Sequence, residues 1–170
     1  MELRGVDELM DLLSACRGVR APGHPVDLHE HSLQTAALLR RGRPADKELQ
    51  VAGLVHDLGR VLRPGDVTGH AEPAADAVRP LLGERVSRLV RLRTPAGRYP
   101  GVLEAAPGRA AMSEAEAAAF ARDPLAEEAL ALRQADDAAR VPGLDAGVLE
   151  DWRTLLELLA ARRSRLGAVD

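Results

Sequence analysis

Residues 49–59 read Leu-Gln-Val-Ala-Gly-Leu-Val-His-Asp-Leu-Gly, and this stretch decides the fold. With 3.6 residues per turn, a helix made from it is apolar on nearly every side, which is typical of a helix buried in a protein core. We therefore expect the imidazole of His56 and the carboxyl of Asp57 to lie away from bulk water. The apolar arc is formed by Leu49 and Ala52 on the face of His56, widened by Val51, Val55, Leu58 and Leu62.

The rest of the chain repeats the helical pattern. Apolar residues recur at spacings of three and four, and Pro and Gly clusters divide the chain into helix-length pieces. The pattern predicts an all-α fold, with residues 1–170 forming a single helical domain. Asp27 is placed to cap a helix that runs to about Arg41, and Ser113 with Glu116 forms a capping box for a later helix.

Proline-rich stretches lead to two further expectations. A helix from His70 to Leu82 contains Pro80, which we expect to end or kink it because proline has no backbone N–H to donate. Residues 94–109 contain three prolines and several glycines. We expect this segment to be the longest irregular one and the most mobile.

The amino-acid composition argues against several classes of binding partner and indicates a compartment. The net charge of -3 and the 2% aromatic content argue against binding to nucleic acid or anionic lipid. Cys16 is the only cysteine, so the chain cannot form an internal disulfide or a thiolate zinc cluster, which favours a reducing, cytoplasmic compartment. No run of about 18 apolar residues predicts a membrane span. We expect a small-molecule substrate, and the sequence leaves the oligomeric state open.

Four ionisable residues lie on helix faces that the periodicity turns inward: His31, His56, Asp57 and Asp136. Buried charges in proteins are usually paired or bound to a metal ion. Two imidazoles and two carboxylates suit a first-row metal such as iron, manganese or zinc. Taken singly, each residue is more economically explained as a hydrogen-bonded core residue. The pattern of all four across three helices favours a metal site.

The chain resembles the HD-domain superfamily of metal-dependent proteins. Within it, the chain is most similar to mixed-valent di-iron oxygenases that degrade organophosphonates and are related to inositol oxygenase. The resemblance covers about residues 20–158. It rests on the segments Glu30–Ala37, Ala52–Gly59, His70, Val78–Val86, Met112–Phe120 and Leu132–Gly143.

The resemblance implies iron ligands. One ion would be held by His31, His56, Asp57 and Asp136. Asp57 would bridge to a second ion, which the family also holds through two histidines. His70 matches the first of these, but the second falls on Arg93, and a protonated guanidinium has no lone pair to donate.

The positions that handle substrate in the family also differ here. Two interpretations of Arg93 stay open: a fixed positive charge at the altered site, or a side chain that extends to water. Arg60 replaces a pocket histidine, so Arg60 and Arg93 together could line an anion-binding cavity. The family's lysine for the phosphonate falls on Gly97. His24 falls on a gating glutamate, where it could reach substrate or metal.

Three functions follow as hypotheses. The first is an iron oxygenase acting on a small polar or anionic metabolite, with one or two metal ions. The second is a metal-dependent phosphohydrolase, the commoner activity of the superfamily. The third is a binding or accessory protein that retains the fold without catalysis.

Overall fold

The computed structural model describes residues 1–66, 69–100 and 112–167, and the secondary structure of these residues is helical. The all-α prediction is confirmed. The helices are α1 (Val6–Ser14), α2 (Leu28–Gly42), α3 (Lys47–Val55), α4 (Gly59–Leu62), α5 (Ala71–Leu82), α6 (Glu84–Ala96), α7 (Glu114–Ala121), α8 (Ala126–Ala138) and α9 (Arg153–Gly167), the last preceded by a 3-10 turn, Leu149–Trp152.

Helix α3 lies at the centre of the bundle. It packs against α2, α6, α8 and α9, and every residue from Leu49 to Leu58 is buried. This agrees with the apolar pattern of residues 49–59. The N-terminus of α3 is capped, since the Asp46 carboxylate accepts a hydrogen bond from the backbone N–H of Leu49. Both terminal nitrogens of Arg85 hold this carboxylate, at 2.7 and 2.8 Å.

Two predicted helix starts are confirmed by their capping contacts. The Asp27 side chain accepts the backbone N–H of Glu30 at 2.8 Å at the start of α2. Ser113 and Glu116 form the reciprocal capping box of α7. The cap at Asp27 fixes the first turn of α2, which carries His31.

Two prolines lie within helices. Helix α5 continues through Pro80 to Leu82, so Pro80 does not end it. Helix α6 continues through Pro95 to Ala96, although residues from 94 onward were expected to be irregular. At the end of α6, Arg133 donates a hydrogen bond to the Ala96 carbonyl oxygen at 2.8 Å and so satisfies a terminal acceptor. Residues 101–109 of the segment expected to be irregular and mobile lie outside the described residues.

None of the helices in the described ranges combines the length and the apolar character that crossing a bilayer requires.

The turn after the His-Asp pair packs tightly against the start of α5. A Cβ added to Gly59 would overlap the backbone carbonyl oxygen of His70. Only glycine allows this approach, which brings the α4 turn against the His70 backbone. The close contact therefore sets the position of the segment that follows Asp57.

We expect Gly59→Ala to destabilise the protein by about 1–3 kcal/mol, because the added methyl group must displace backbone. Gly42→Ala is the matched control: Gly42 also lies in a helix, but a Cβ there meets nothing within 4 Å. That change should be neutral or stabilise by up to about 1 kcal/mol. Urea unfolding followed by fluorescence of the single, buried Trp152 measures both. Equal free energies of unfolding for the two variants would contradict the steric argument.

Candidate metal centre

The four inward ionisable side chains meet at one point. His31 lies in the first turn of α2, His56 and Asp57 directly follow α3, and Asp136 lies in the last turn of α8. One ligand atom from each lies within 4.8 Å of the others, and all four side chains are buried. The structure thus brings together the residues that periodicity placed on three inward faces.

Backbone carbonyls orient both imidazoles. His31 Nδ1 lies 2.7 Å from the Ala139 carbonyl oxygen, and His56 Nδ1 lies 2.6 Å from that of Gly53. A carbonyl oxygen only accepts, so each Nδ1 carries the hydrogen and each Nε2 faces the cluster. Metal-bound histidines use this same arrangement to fix the ring and its tautomer.

The nitrogen and oxygen atoms at the centre lie so close together that they need a positive charge among them. His31 Nε2 lies 2.8 Å from Asp136 Oδ1 and 3.3 Å from His56 Nε2, and both rings lie 3.4 Å from Asp57 Oδ2. Lone pairs at these distances repel unless a proton or a cation lies between them. Burial alone would lower the pKa of His56, but Asp57 and Asp136 raise it. The donor set and its spacing fit one metal ion.

Arg93 supplies a positive charge on the other side of the acids. Its Nη1 lies 2.7 Å from Asp57 Oδ1, its Nε lies 3.2 Å from Asp136 Oδ2, and the side chain is 13% exposed. Of the two orientations considered from the sequence, the side chain takes the inward one. Burial by itself would raise the pKa of both acids, but Arg93 together with His56 and His31 holds each pKa below the ordinary value.

A cavity of about 750 Å³ lies beside two arginines that contact the acids of the cluster. Arg93 lines it, and so does Arg60, whose Nε lies 3.4 Å from Asp57 Oδ1. These two arginines therefore connect the cavity with the buried acids. The described lining is basic, since it adds Arg20 and Arg98 and has one acid, Asp66.

His70 and His24 lie near the centre but outside the group of four. His70 lines the cavity, and its buried Nδ1 has no hydrogen-bond partner among the described residues. His24 packs edge-on against the ring of His31 at 4.7 Å, and its Nδ1 bonds the Val26 carbonyl oxygen. Metal binding by His70 and substrate binding by His24 stay predictions.

Sequence reasoning missed three arginines around the site. Arg20 and Arg98 line the cavity, and buried Arg133 holds the end of α6, from which Arg93 projects. A signal existed for Arg98, because it directly follows Gly97, the position of the family's phosphonate-binding lysine. Arg133 gave none, since an arginine within a helix is usually solvated.

Comparison with known proteins agrees with this geometry. The family profile of the HD domain matches residues 28–140, from the first residue of α2 to just beyond α8. The chain belongs to the HD-domain family. The matched range contains all four residues of the cluster. The chain is also 30% identical over 151 residues to a hydroxymethylphosphonate dioxygenase of Gimesia maris, with 75% of each chain covered.

The orientation of the rings yields a spectroscopic prediction. With Zn²⁺ as a diamagnetic probe, we expect His31 and His56 both to keep hydrogen on Nδ1 and to bind through Nε2. Long-range ¹H–¹⁵N NMR distinguishes the two nitrogens. His29 is the control, because its Nδ1 also faces a carbonyl oxygen, that of Leu13, outside the cluster. Its Nε2 resonance should not move with zinc. Hydrogen on Nε2 of either cluster ring in the zinc form would contradict the proposed binding.

Proposed function

We propose that the chain is an iron-dependent oxygenase that acts on a small anionic metabolite. The observation that carries the proposal is the cavity whose wall is formed in part by Arg60 and Arg93, both in contact with the acids of the candidate centre. A substrate in the cavity would lie next to a metal ion held by that centre. The Gimesia maris relative supports the choice of reaction.

His31, His56, Asp57 and Asp136 would hold the metal. An iron ion there would supply the redox chemistry that a reaction with dioxygen requires and that zinc cannot supply. The chain's own residues orient the ligands and shield the centre from water. The carbonyl oxygens of Ala139 and Gly53 hold the imidazoles in place, and the cluster is buried.

The charge of the cavity indicates the class of substrate. Four arginines and one acid in the described lining favour a molecule with a carboxylate, phosphonate or phosphate group. A guanidinium binds such groups through two parallel hydrogen bonds and so fixes their orientation. The volume of about 750 Å³ lies within the range of small-molecule sites.

Removing one acid from the centre tests the metal ligands. We expect Asp136→Asn to lose at least about tenfold in affinity for Fe²⁺ and to abolish dioxygen uptake. Asp137→Asn is the matched control, because Asp137 is the next residue but is 42% exposed and pairs with Arg133. Metal analysis after anaerobic loading, circular dichroism and an oxygen electrode give the readouts. Equal iron content in Asp136→Asn and wild type would contradict the metal centre.

The oxygenase assay uses hydroxymethylphosphonate and small hydroxycarboxylates as substrates. We expect dioxygen uptake that requires both iron and one of these anions. Phosphoester hydrolysis is the second candidate, since the basic cavity also suits a phosphate ester. Release of inorganic phosphate from phosphoesters with Mn²⁺ under nitrogen, without dioxygen uptake, would favour it. Bound metal with neither activity would favour a binding protein.

Replacement of a cavity arginine tests the substrate class. We expect Arg60→Ala to weaken the binding of hydroxymethylphosphonate by about tenfold or more, the size of one charged hydrogen bond. Arg63→Ala is the control, because Arg63 lies at the end of the same short helix but is exposed and outside the cavity lining. Titration calorimetry measures both. Unchanged binding in Arg60→Ala would contradict the assignment of this cavity to the anion.

A further inference from the structure

The carboxylates of Asp57 and Asp136 each divide their two oxygens between opposite sides. On one side, Asp57 Oδ2 and Asp136 Oδ1 face the imidazole nitrogens at 2.8 to 3.4 Å. On the other side, Asp57 Oδ1 and Asp136 Oδ2 bind Arg93 at 2.7 and 3.2 Å. The acids thus have the arrangement of groups that bridge two cations, and one of these cations is a side chain.

We infer that the Arg93 guanidinium takes the place of a second metal ion, so that the centre holds one ion per chain. This inference rests on the metal centre proposed above. It concerns the number of ions and the source of the second positive charge, which the oxygenase proposal leaves open. It also departs from the two-ion arrangement that the resemblance implies.

The surroundings hold Arg93 in this position. It projects from the last turn of α6, where Arg133 binds the carbonyl oxygens of Ala96 and Tyr99 at 2.8 and 3.2 Å. Arg133 therefore holds the end of the helix that carries Arg93, and the two acids hold its guanidinium. An arginine side chain stays protonated at any working pH, so Arg93 brings a permanent positive charge to the two acids.

Within the described ranges of the chain, a second ion lacks the ligands that it would need. Asp57 Oδ1, the oxygen that would bridge to it, already accepts from Arg93 and lies 3.4 Å from Arg60 Nε. A divalent cation added there would be repelled by both guanidinium groups. In the described lining of the cavity, the potential ligands are His70, with its unpaired Nδ1, and Asp66, and Asp57 and Asp136 are not part of that lining. One imidazole without a shared carboxylate does not make a tight site.

The consequence for the reaction is that arginine, and not a second metal, faces the substrate. Arg93 both binds the acids and lines the cavity. An anionic group that a second ion would have bound then meets a planar guanidinium with fixed charge. We expect such a site to select for carboxylate or phosphonate geometry.

The first experiment counts ions in the wild-type protein. The chain is loaded anaerobically with Fe²⁺, and separately with Mn²⁺, then desalted and analysed for metal, and the Mn²⁺ form is studied by electron spin resonance. We expect one ion per chain and a spectrum of magnetically isolated Mn²⁺. Two ions per chain with spin coupling overturn this inference and leave the oxygenase proposal standing. Less than one ion per chain overturns both.

The second experiment changes Arg93 in the metal-free protein. We expect Arg93→Gln to lower the melting temperature in chelator by several degrees more than Arg88→Gln, because it leaves two buried acids without their cation. Arg88 is the matched control on the same helix; it pairs with Asp123 at 3.0 Å and is 39% exposed. Added Mn²⁺ should restore Arg93→Gln more than wild type. Equal melting temperatures for the two variants in chelator overturn the inference.

A third variant, Arg93→His, keeps the test decisive if Arg93→Gln does not fold. The imidazole offers a ligand and frees the two carboxylate oxygens that Arg93 occupies. We expect metal content to rise from one towards two Mn²⁺ per chain, with spin coupling between the ions. If metal content stays at one in Arg93→His and its metal-free stability equals that of wild type, Arg93 does not stand in for an ion.

Discussion

The site depends on one constraint, which is that two carboxylates buried in the helical bundle have lost their contact with water. Asp57 and Asp136 are buried, and an isolated buried carboxylate is costly enough that proteins pair it or neutralise it. Arg93 and the two imidazoles meet this requirement. Buried ion pairs add little stability compared with apolar residues of equal volume. Two acids and two histidines in a core that Leu and Ala could fill therefore indicate a functional centre.

The precision of the centre comes from polar contacts at helix ends. Asp27 caps α2 before His31, Asp46 caps α3 before His56, and Arg133 binds the terminal carbonyl oxygens of α6 after Arg93. Each of these contacts fixes the backbone within about two turns of a residue that reaches the cluster. His56 and Asp57 lie in the turn that directly follows α3. The cavity wall combines loop residues such as Arg20 and Pro64 with Arg60 and Arg93 from helices.

Much of the fold followed from the sequence because the helices have clear apolar faces. Periodicity placed His31, His56 and Asp136 inward, and they converge in the structure. The direction of Arg93 could not be obtained this way, since an arginine near a helix end is long enough to reach either water or the core. Acids on two other elements decide it. The end of α6 was also not predictable from local sequence. The local effect of Pro95 can be read from the sequence, but the hydrogen bond that Arg133 donates to the Ala96 carbonyl oxygen depends on tertiary structure.

The ends of the helices also set the electric field at the centre. Helices α3, α6 and α8 all reach it with their C-terminal turns, whose carbonyl groups carry partial negative charge. Helix α2 arrives by its N-terminus, and there the carboxylate of Asp27 offsets the opposite partial charge. The backbone itself therefore attracts cations to this point before any ligand bond forms. On the cavity side of the acids, the side chains of Arg60 and Arg93 supply positive charge.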